Sequence, residues 1–229
     1  MIGSLESHHG FCSLMAGEAG INVIAVDYRR APESPFPGPI ADGLTAWNWV
    51  VEHRAELGIQ DTRIGLGGDS AGGNLSAVLA MQTFKEVVSG QLAVSPDFQF
   101  LLYPWVDTTF GYESIKRFGK GLLLTEKTMQ LFRNHYLPEG ITDLVLSTDP
   151  MACKDTSAIP DTLIVTAEYD VLRDEGLAFV DKLKQAQVNV THQHLLDCTH
   201  GFISMGRYSS ATRDRLGSIC NMLLDYANS

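Results

Sequence analysis

The chain has 229 residues, 45% hydrophobic and 19% charged, with a formal net charge of −10. That is enough to bury a full core, and residues 1–229 are expected to form a single domain. The acid excess and the lack of any basic run exclude a nucleic-acid partner, and no apolar stretch approaches the roughly 18 residues that a membrane span requires. The first six residues hold neither a basic region nor a long apolar run, so no signal peptide is expected. Cys12, Cys153, Cys198 and Cys220 are scattered and never spaced Cys-x-x-Cys, a pattern that points to a reduced, cytoplasmic setting.

Residues 4–19 place Leu5, Phe11, Leu14, Met15 and Ala19 on one helical face, and Gly20 ends the run. The short apolar run 21–26 reads as a buried strand. The proline-rich stretch 31–39 fits no regular element. Residues 40–53 read as a helix with Leu44, Trp47 and Val51 facing inward. A strand over 63–67 leads towards Ser70, and a helix over 71–88 leaves it. Further strands are predicted over 98–103 and 162–167. Between them, residues 106–160 show one clear helix, 125–136, among Phe110, Tyr112, Phe118, the Gly119/Gly121 pair and Leu122 to Leu124. Excursions of that length between strands often cover or bind substrate, and 106–160 is expected to contribute to a substrate-covering region; a helix with loops packed on the sheet edge would give the same pattern. A helix over 173–186 carries Leu177, Val180 and Leu183 on one face. Residues 190–195 form the last strand, and 211–226 a closing helix through Leu216, Ile219, Cys220 and Leu223. Strands alternating with helices imply an α/β fold, with a mostly parallel sheet, helices on both faces, and ligands bound at the C-terminal ends of the strands.

Gly68-Asp69-Ser70-Ala71-Gly72 occupies the turn between one such strand and its helix. A serine in that setting is lifted to the sheet edge, and the helix N-terminus favours negative charge developing beside it. The Gly-x-Ser-x-Gly pattern alone is weak; the strand before it and the helix after it give it weight. A serine hydroxyl is a poor nucleophile, and it needs a base that is itself oriented by an acid. Asp170 follows the strand 162–167 and His200 follows the strand 190–195, so both reach the same sheet edge in the order serine, acid, histidine. Asp174 and Asp197 are competing acids. Asp174 falls in the first turn of a helix, where a carboxylate suits the dipole. Asp197 lies three residues before His200, whereas the acid of such a site normally follows the preceding strand, which favours Asp170. His192 and His194 share a strand face without an evident third ligand, so no metal site is predicted. His8 and His9 open a helix as surface or pocket-rim residues, and His53 and His135 read as helix-surface residues.

The motifs together resemble the hormone-sensitive-lipase-like branch of the α/β hydrolases, which includes carboxylesterases. The matching stretches are Val26-Asp27-Tyr28-Arg29-Arg30-Ala31-Pro32-Glu33, Gly68-Asp69-Ser70-Ala71-Gly72-Gly73-Asn74-Leu75 and Tyr103-Pro104, followed by Ala167 through Gly176 and His200-Gly201-Phe202. The resemblance implies the α/β-hydrolase fold, with Ser70 as nucleophile, Asp170 as acid, His200 as base and the backbone N–H of Ala71 as one oxyanion donor. It implies a serine carboxylesterase acting on small-molecule esters of short to medium acyl chain, with no metal or organic cofactor. Trp105, Phe110, Tyr112 and Phe202 are candidate pocket residues, although core packing would account for each. A homo-oligomer is left open, as is a non-catalytic ligand-binding homologue on the same scaffold; a peptidase is a weaker rival.

One part of the family pattern is missing. A His-Gly-Gly-Gly loop, the strand feeding it, two edge strands and N-terminal cap helices would precede Met1. The chain is therefore expected to be an N-terminally truncated hydrolase, a fragment or mis-started form of a longer esterase, in preference to a degenerate homologue or a rebuilt sheet. The lost strand belongs between the strand of 21–26 and that of 63–67, and its loss would leave facing rows of unpaired backbone groups.

Overall fold

The structure is a computed structural model and describes residues 2–92, 94–137, 148–154, 159–206 and 208–228. Strands β1 (Gly65–Asp69), β2 (Phe98–Leu102), β3 (Asp161–Tyr169) and β4 (Val190–Thr199) form one sheet in the order β1-β2-β3-β4. Every pair is parallel: Asp69 lies opposite Leu102, Leu102 opposite Val165, and Val165 opposite Gln193. All four chain exits therefore lie at one edge. The helices are α1 (Leu5–Ala19), α2 (Gly38–Glu52), α3 (Ala71–Val88), α4 (Glu113–Phe118), α5 (Glu126–Tyr136), α6 (Arg173–Gln185) and α7 (Ser210–Asn228).

Side chains alternate across the pleat, as the strand period of two requires. Leu101 and Ile164 enter a core shared with α2, α3 and α6. Phe98, Phe100, Leu102, Leu163 and Val165 enter a second core, closed by α7 and the inner face of α1. Phe179, Leu183 and Ile219 retain no exposed surface, and burial of each contributes roughly 1.5–3 kcal/mol. Helix α3 is buried continuously from Gly73 to Met81, which is why its sequence is small or apolar on every side. Helix α1 starts on a reciprocal cap: Ser4 Oγ accepts from Ser7 N at 3.2 Å, and Ser7 Oγ accepts from Ser4 N at 2.8 Å. It ends on Gly20 at φ 64°, a left-handed conformation that glycine adopts without steric cost.

Residues 21–26 correct the expectation of a buried strand. They join no ladder among the described residues, and Ile24 and Val26 remain 47% and 40% exposed. The β-type composition is there, but a strand also needs a partner for its backbone groups, and none lies beside it among the described residues. What fixes the end of this segment is polar. Arg29 donates from its backbone N (2.8 Å) and its Nε (2.9 Å) to Oδ2 of Asp42 on α2.

The excursion 106–160 is richer than predicted. It contains α4, which the sequence reading did not identify, besides α5 and a 3₁₀ turn at Pro150–Ala152. Residues 138–147 and 155–158 of it lie outside the described residues. Ile115, Phe118, Met129 and Tyr136 are buried in the core on the α3 side, and the Arg173 guanidinium lies 4.9 Å from the centroid of Phe118.

Candidate active site

Ser70 sits between β1 and α3 at φ 52°, ψ −113°. For a non-glycine residue that conformation stores roughly 1–3 kcal/mol of strain and persists only where neighbours enforce it. They do so here. Its N–H donates to Leu102 O (2.9 Å), and its carbonyl accepts from Asn74 N (3.1 Å) and Trp105 N (3.2 Å). The glycines that make the turn feasible are Gly68 and Gly73. A Cβ on Gly68 would lie 2.3 Å from the Gly72 carbonyl carbon, and one on Gly73 would lie 2.8 Å from Pro104 Cβ. Gly72 itself faces open space within 4 Å. Buried Asn74 locks the next turn by donating to Trp105 O (2.8 Å) and Thr148 O (2.9 Å).

His200 follows β4 and Asp170 follows β3. His200 Nε2 is 2.9 Å from Ser70 Oγ, and His200 Nδ1 is 2.7 Å from Asp170 Oδ2. The Asp170 carboxylate is completely buried and accepts a second bond from Leu172 N at 2.9 Å, while the imidazole keeps 12% of its surface exposed. Ala71 is the first residue of α3, so its N–H has no acceptor within the helix and points out beyond the helix start. The competing acids are engaged elsewhere. Asp174 accepts from Ser114 N and pairs with Arg173; Asp197 is exposed and pairs with Arg215 at 3.0 Å.

His192 and His194 are joined through one hydroxyl. Thr166 Oγ1 lies 2.8 Å from His192 Nε2 and 2.8 Å from His194 Nδ1, and His194 Nε2 reaches Glu168 Oε2 at 3.0 Å. Among the described residues, no group of three or more metal-ligating side chains forms there or elsewhere. His9 and His135 are exposed, and His53 stacks on Trp49. Of the candidate pocket residues, Trp105 and Phe202 are buried core, whereas Phe110 and Tyr112 are half-buried, with the Tyr112 hydroxyl donating to Asp107 Oδ2 at 2.9 Å.

The sequence reading gave no role to three polar groups around this centre. Glu175 is fully buried, and its Oε1 accepts from Val106 N (2.8 Å) and Asp107 N (3.2 Å), tying α6 to the loop after β2. Burial pushes its carboxyl well above the usual carboxylate range. Tyr103, buried at φ 34°, packs on the His200 ring with centroids 4.7 Å apart. His8 of α1 pairs with Asp69, the residue preceding the nucleophile, at 3.2 Å. Glu175 and Tyr103 stand inside quoted motifs, but their burial depends on contacts distant in sequence, so no local pattern marks them; His8 agrees with its reading as a rim residue, and only its partner Asp69 was not foreseen.

A serine on a strained strand-to-helix turn at the C-terminal edge of a parallel sheet, in contact with a histidine and a buried aspartate from later strands, is the arrangement of an α/β hydrolase. Comparison with known proteins bears out the fold. A family described by its alpha/beta hydrolase fold matches residues 1–204, and the chain belongs to that family, in its hormone-sensitive-lipase-like branch. The chain is 36% identical over 206 residues to the carboxylic ester hydrolase LipN of Mycobacterium tuberculosis, covering 89% of this chain and 54% of that protein. It is likewise 36% identical to an ethyl acetate hydrolase of Pseudomonas putida, over 90% of this chain and 64% of the relative. A thermophilic carboxylesterase from a metagenomic library, EstE1, superposes with a TM-score of 0.89 at 33% identity, over 99% of this chain and 76% of that one. The chain thus spans about half to two thirds of the length of the curated relatives it matches. No helix among the described residues is long and apolar enough to cross a membrane.

Proposed function

We propose that the chain carries the acyl-transfer machinery of a serine carboxylesterase for small esters of short to medium acyl chain. The observation that carries this reading is the continuous path Ser70 Oγ, His200 and Asp170, with contacts of 2.9 and 2.7 Å. His200 Nε2 takes the hydroxyl proton as Oγ attacks the ester carbonyl. The oxygen of the tetrahedral intermediate accepts from Ala71 N–H at the positive end of α3. His200 then returns the proton to the departing alcohol, leaving an acyl-serine. Water enters and gives a proton to His200 as its oxygen attacks the acyl carbon; Ser70 Oγ then leaves, taking that proton back from His200 Nε2, and the acid is released. Asp170 holds the imidazole tautomer and balances its transient charge without taking the proton. No metal or organic cofactor enters these steps. Relatives named for ester and ethyl acetate hydrolysis support the substrate class. The scattered spacing of the four cysteines supports a reducing, cytoplasmic setting.

The test is labelling of the purified chain with a fluorophosphonate, with Ser70→Ala as control, alongside turnover of p-nitrophenyl acetate, hexanoate and laurate. Labelling at Ser70 and faster turnover of the two shorter esters are expected. Absence of both labelling and turnover would sink the reading.

A further inference from the structure

Behind the catalytic centre a second polar line runs through residues that the mechanism above does not use. His8 Nε2 lies 3.2 Å from Asp69 Oδ1. The opposite nitrogen of the ring, Nδ1, faces Ser7 Oγ at 2.9 Å and Ser4 O at 3.2 Å, so the ring orientation is fixed by the cap of α1. The other carboxylate oxygen, Oδ2, accepts from the Tyr103 hydroxyl at 3.4 Å. The Tyr103 ring lies against the His200 imidazole at 58° and is backed on another side by Phe202, with centroids 5.2 Å apart. Tyr103 cannot drift, because its N–H donates to Val165 O at 2.6 Å and the side chain is 1% exposed.

We propose that His8, Asp69 and Tyr103 form a positioning bracket that holds the His200 ring and sets the charge it experiences. This deepens the esterase reading and rests on it for its catalytic meaning. Tyr103 supplies a wall for one face of the imidazole. Asp69 places a second negative charge beyond that wall, which favours the imidazolium formed at each proton transfer. His8, when protonated, cancels much of it.

The groups facing this line come from several elements. Burial, and after it the charge of Asp69, raises both the Cys12 thiol on α1 and the Tyr28 phenol after the extended segment. Asp27 and Arg30 act on Tyr28 with opposite sign. Tyr103 faces both Asp69 and Asp170, and burial holds its phenol well above the usual range, so it stays a neutral donor. His200 is met by Ser70, Asp170 and Tyr103. The contact with Asp69 raises His8 above the usual imidazole value. The pair is therefore intact in mildly acidic solution and loses its positive member as pH rises through that raised value.

The bracket makes paired predictions of opposite sign. Asp69→Asn removes a negative charge near His200 and should move the acid limb of kcat/KM to lower pH. His8→Gln leaves Asp69 uncompensated and should move it to higher pH. Each shift should be about 0.5 pH unit, as for a partly screened charge one ring away. Tyr103→Leu should lower kcat about tenfold at little change in KM, and Tyr103→Phe should restore most of that loss because the wall is kept. The same shifts are read without substrate, by NMR titration of the His200 Cε1–H in labelled protein. That measurement decides the bracket even where no ester is turned over, an outcome that would count against the esterase reading alone. His8 sits on the half-buried face of α1, so His8→Gln keeps the test alive if Asp69→Asn does not fold. Shifts of the same sign, no shift in His8→Gln, or Tyr103→Phe as impaired as Tyr103→Leu would overturn the proposal.

Discussion

Gly68→Ala tests the nucleophile turn at the position where the space is smallest. The added methyl would lie 2.3 Å from the Gly72 carbonyl carbon and 2.4 Å from its oxygen, both backbone atoms. An ordinary contact there needs about 1 Å more, and no side chain can rotate away to provide it. The turn must open, which costs about 1–3 kcal/mol as overpacking. The same displacement moves Ser70 relative to His200 by up to about 1 Å, and a misplacement of that size lowers turnover about 100-fold. Gly72→Ala is the matched control. Its methyl would meet nothing within 4 Å, and Gly72 has no left-handed φ that would oppose a side chain. Melting curves and the rate of fluorophosphonate labelling on the two variants give the readout. If Gly68→Ala melts and reacts like the parent chain, or Gly72→Ala is equally damaged, the steric account of this turn is wrong.

Asp170→Asn should lower turnover of a short p-nitrophenyl ester about 10³-fold or more, and Asp197→Asn should leave it within twofold, since Asp197 is engaged with Arg215 at the surface; the reverse ranking would reassign the acid. Glu175→Gln should melt higher than the parent at pH 8 and flatten the pH dependence of stability. The folded chain holds a proton on Glu175 that the unfolded chain releases above about pH 4.5, so parent stability falls as pH rises from there through the raised folded value. Equal slopes in thermal melts from pH 5 to 8 would refute this. Joining to the chain the upstream portion of a relative, with its His-Gly-Gly-Gly loop, should raise melting temperature, solubility and kcat together. The kcat gain should approach the 10²–10³ associated with one oxyanion donor, and an unchanged kcat would show that the hole is completed from residues of this chain.

Much of the scaffold was legible because it rests on local signals. The glycine-framed serine between a strand and a helix, the two later strands that end before Asp170 and His200, and the stop of α1 at Gly20 all follow from neighbouring residues. The segment 21–26 misled because its apolar run records a preference for pairing, while pairing itself depends on a neighbour. Helix α4 was missed because six residues are too few for a period to emerge, and its first turn is held by Asp174, 60 residues away, which accepts from Ser114 N. Glu175 and Tyr103 look ordinary in sequence. Only the packing of α6 against the loop after β2, and of that loop against His200, makes the first a buried acid and the second a wall of the site.

The strand order carries a consequence for how the protein can be assayed. The serine rides on β1 and the histidine on β4, opposite ends of the four-strand ladder, about 14 Å apart at three inter-strand steps. Only the loops rising from a complete sheet bring the two within 2.9 Å. During synthesis Ser70 is an ordinary alcohol until the last strand has docked. On the proposed reading, stoichiometric acylation then counts native molecules and not polypeptide, so a burst titration reports the folded fraction of any preparation.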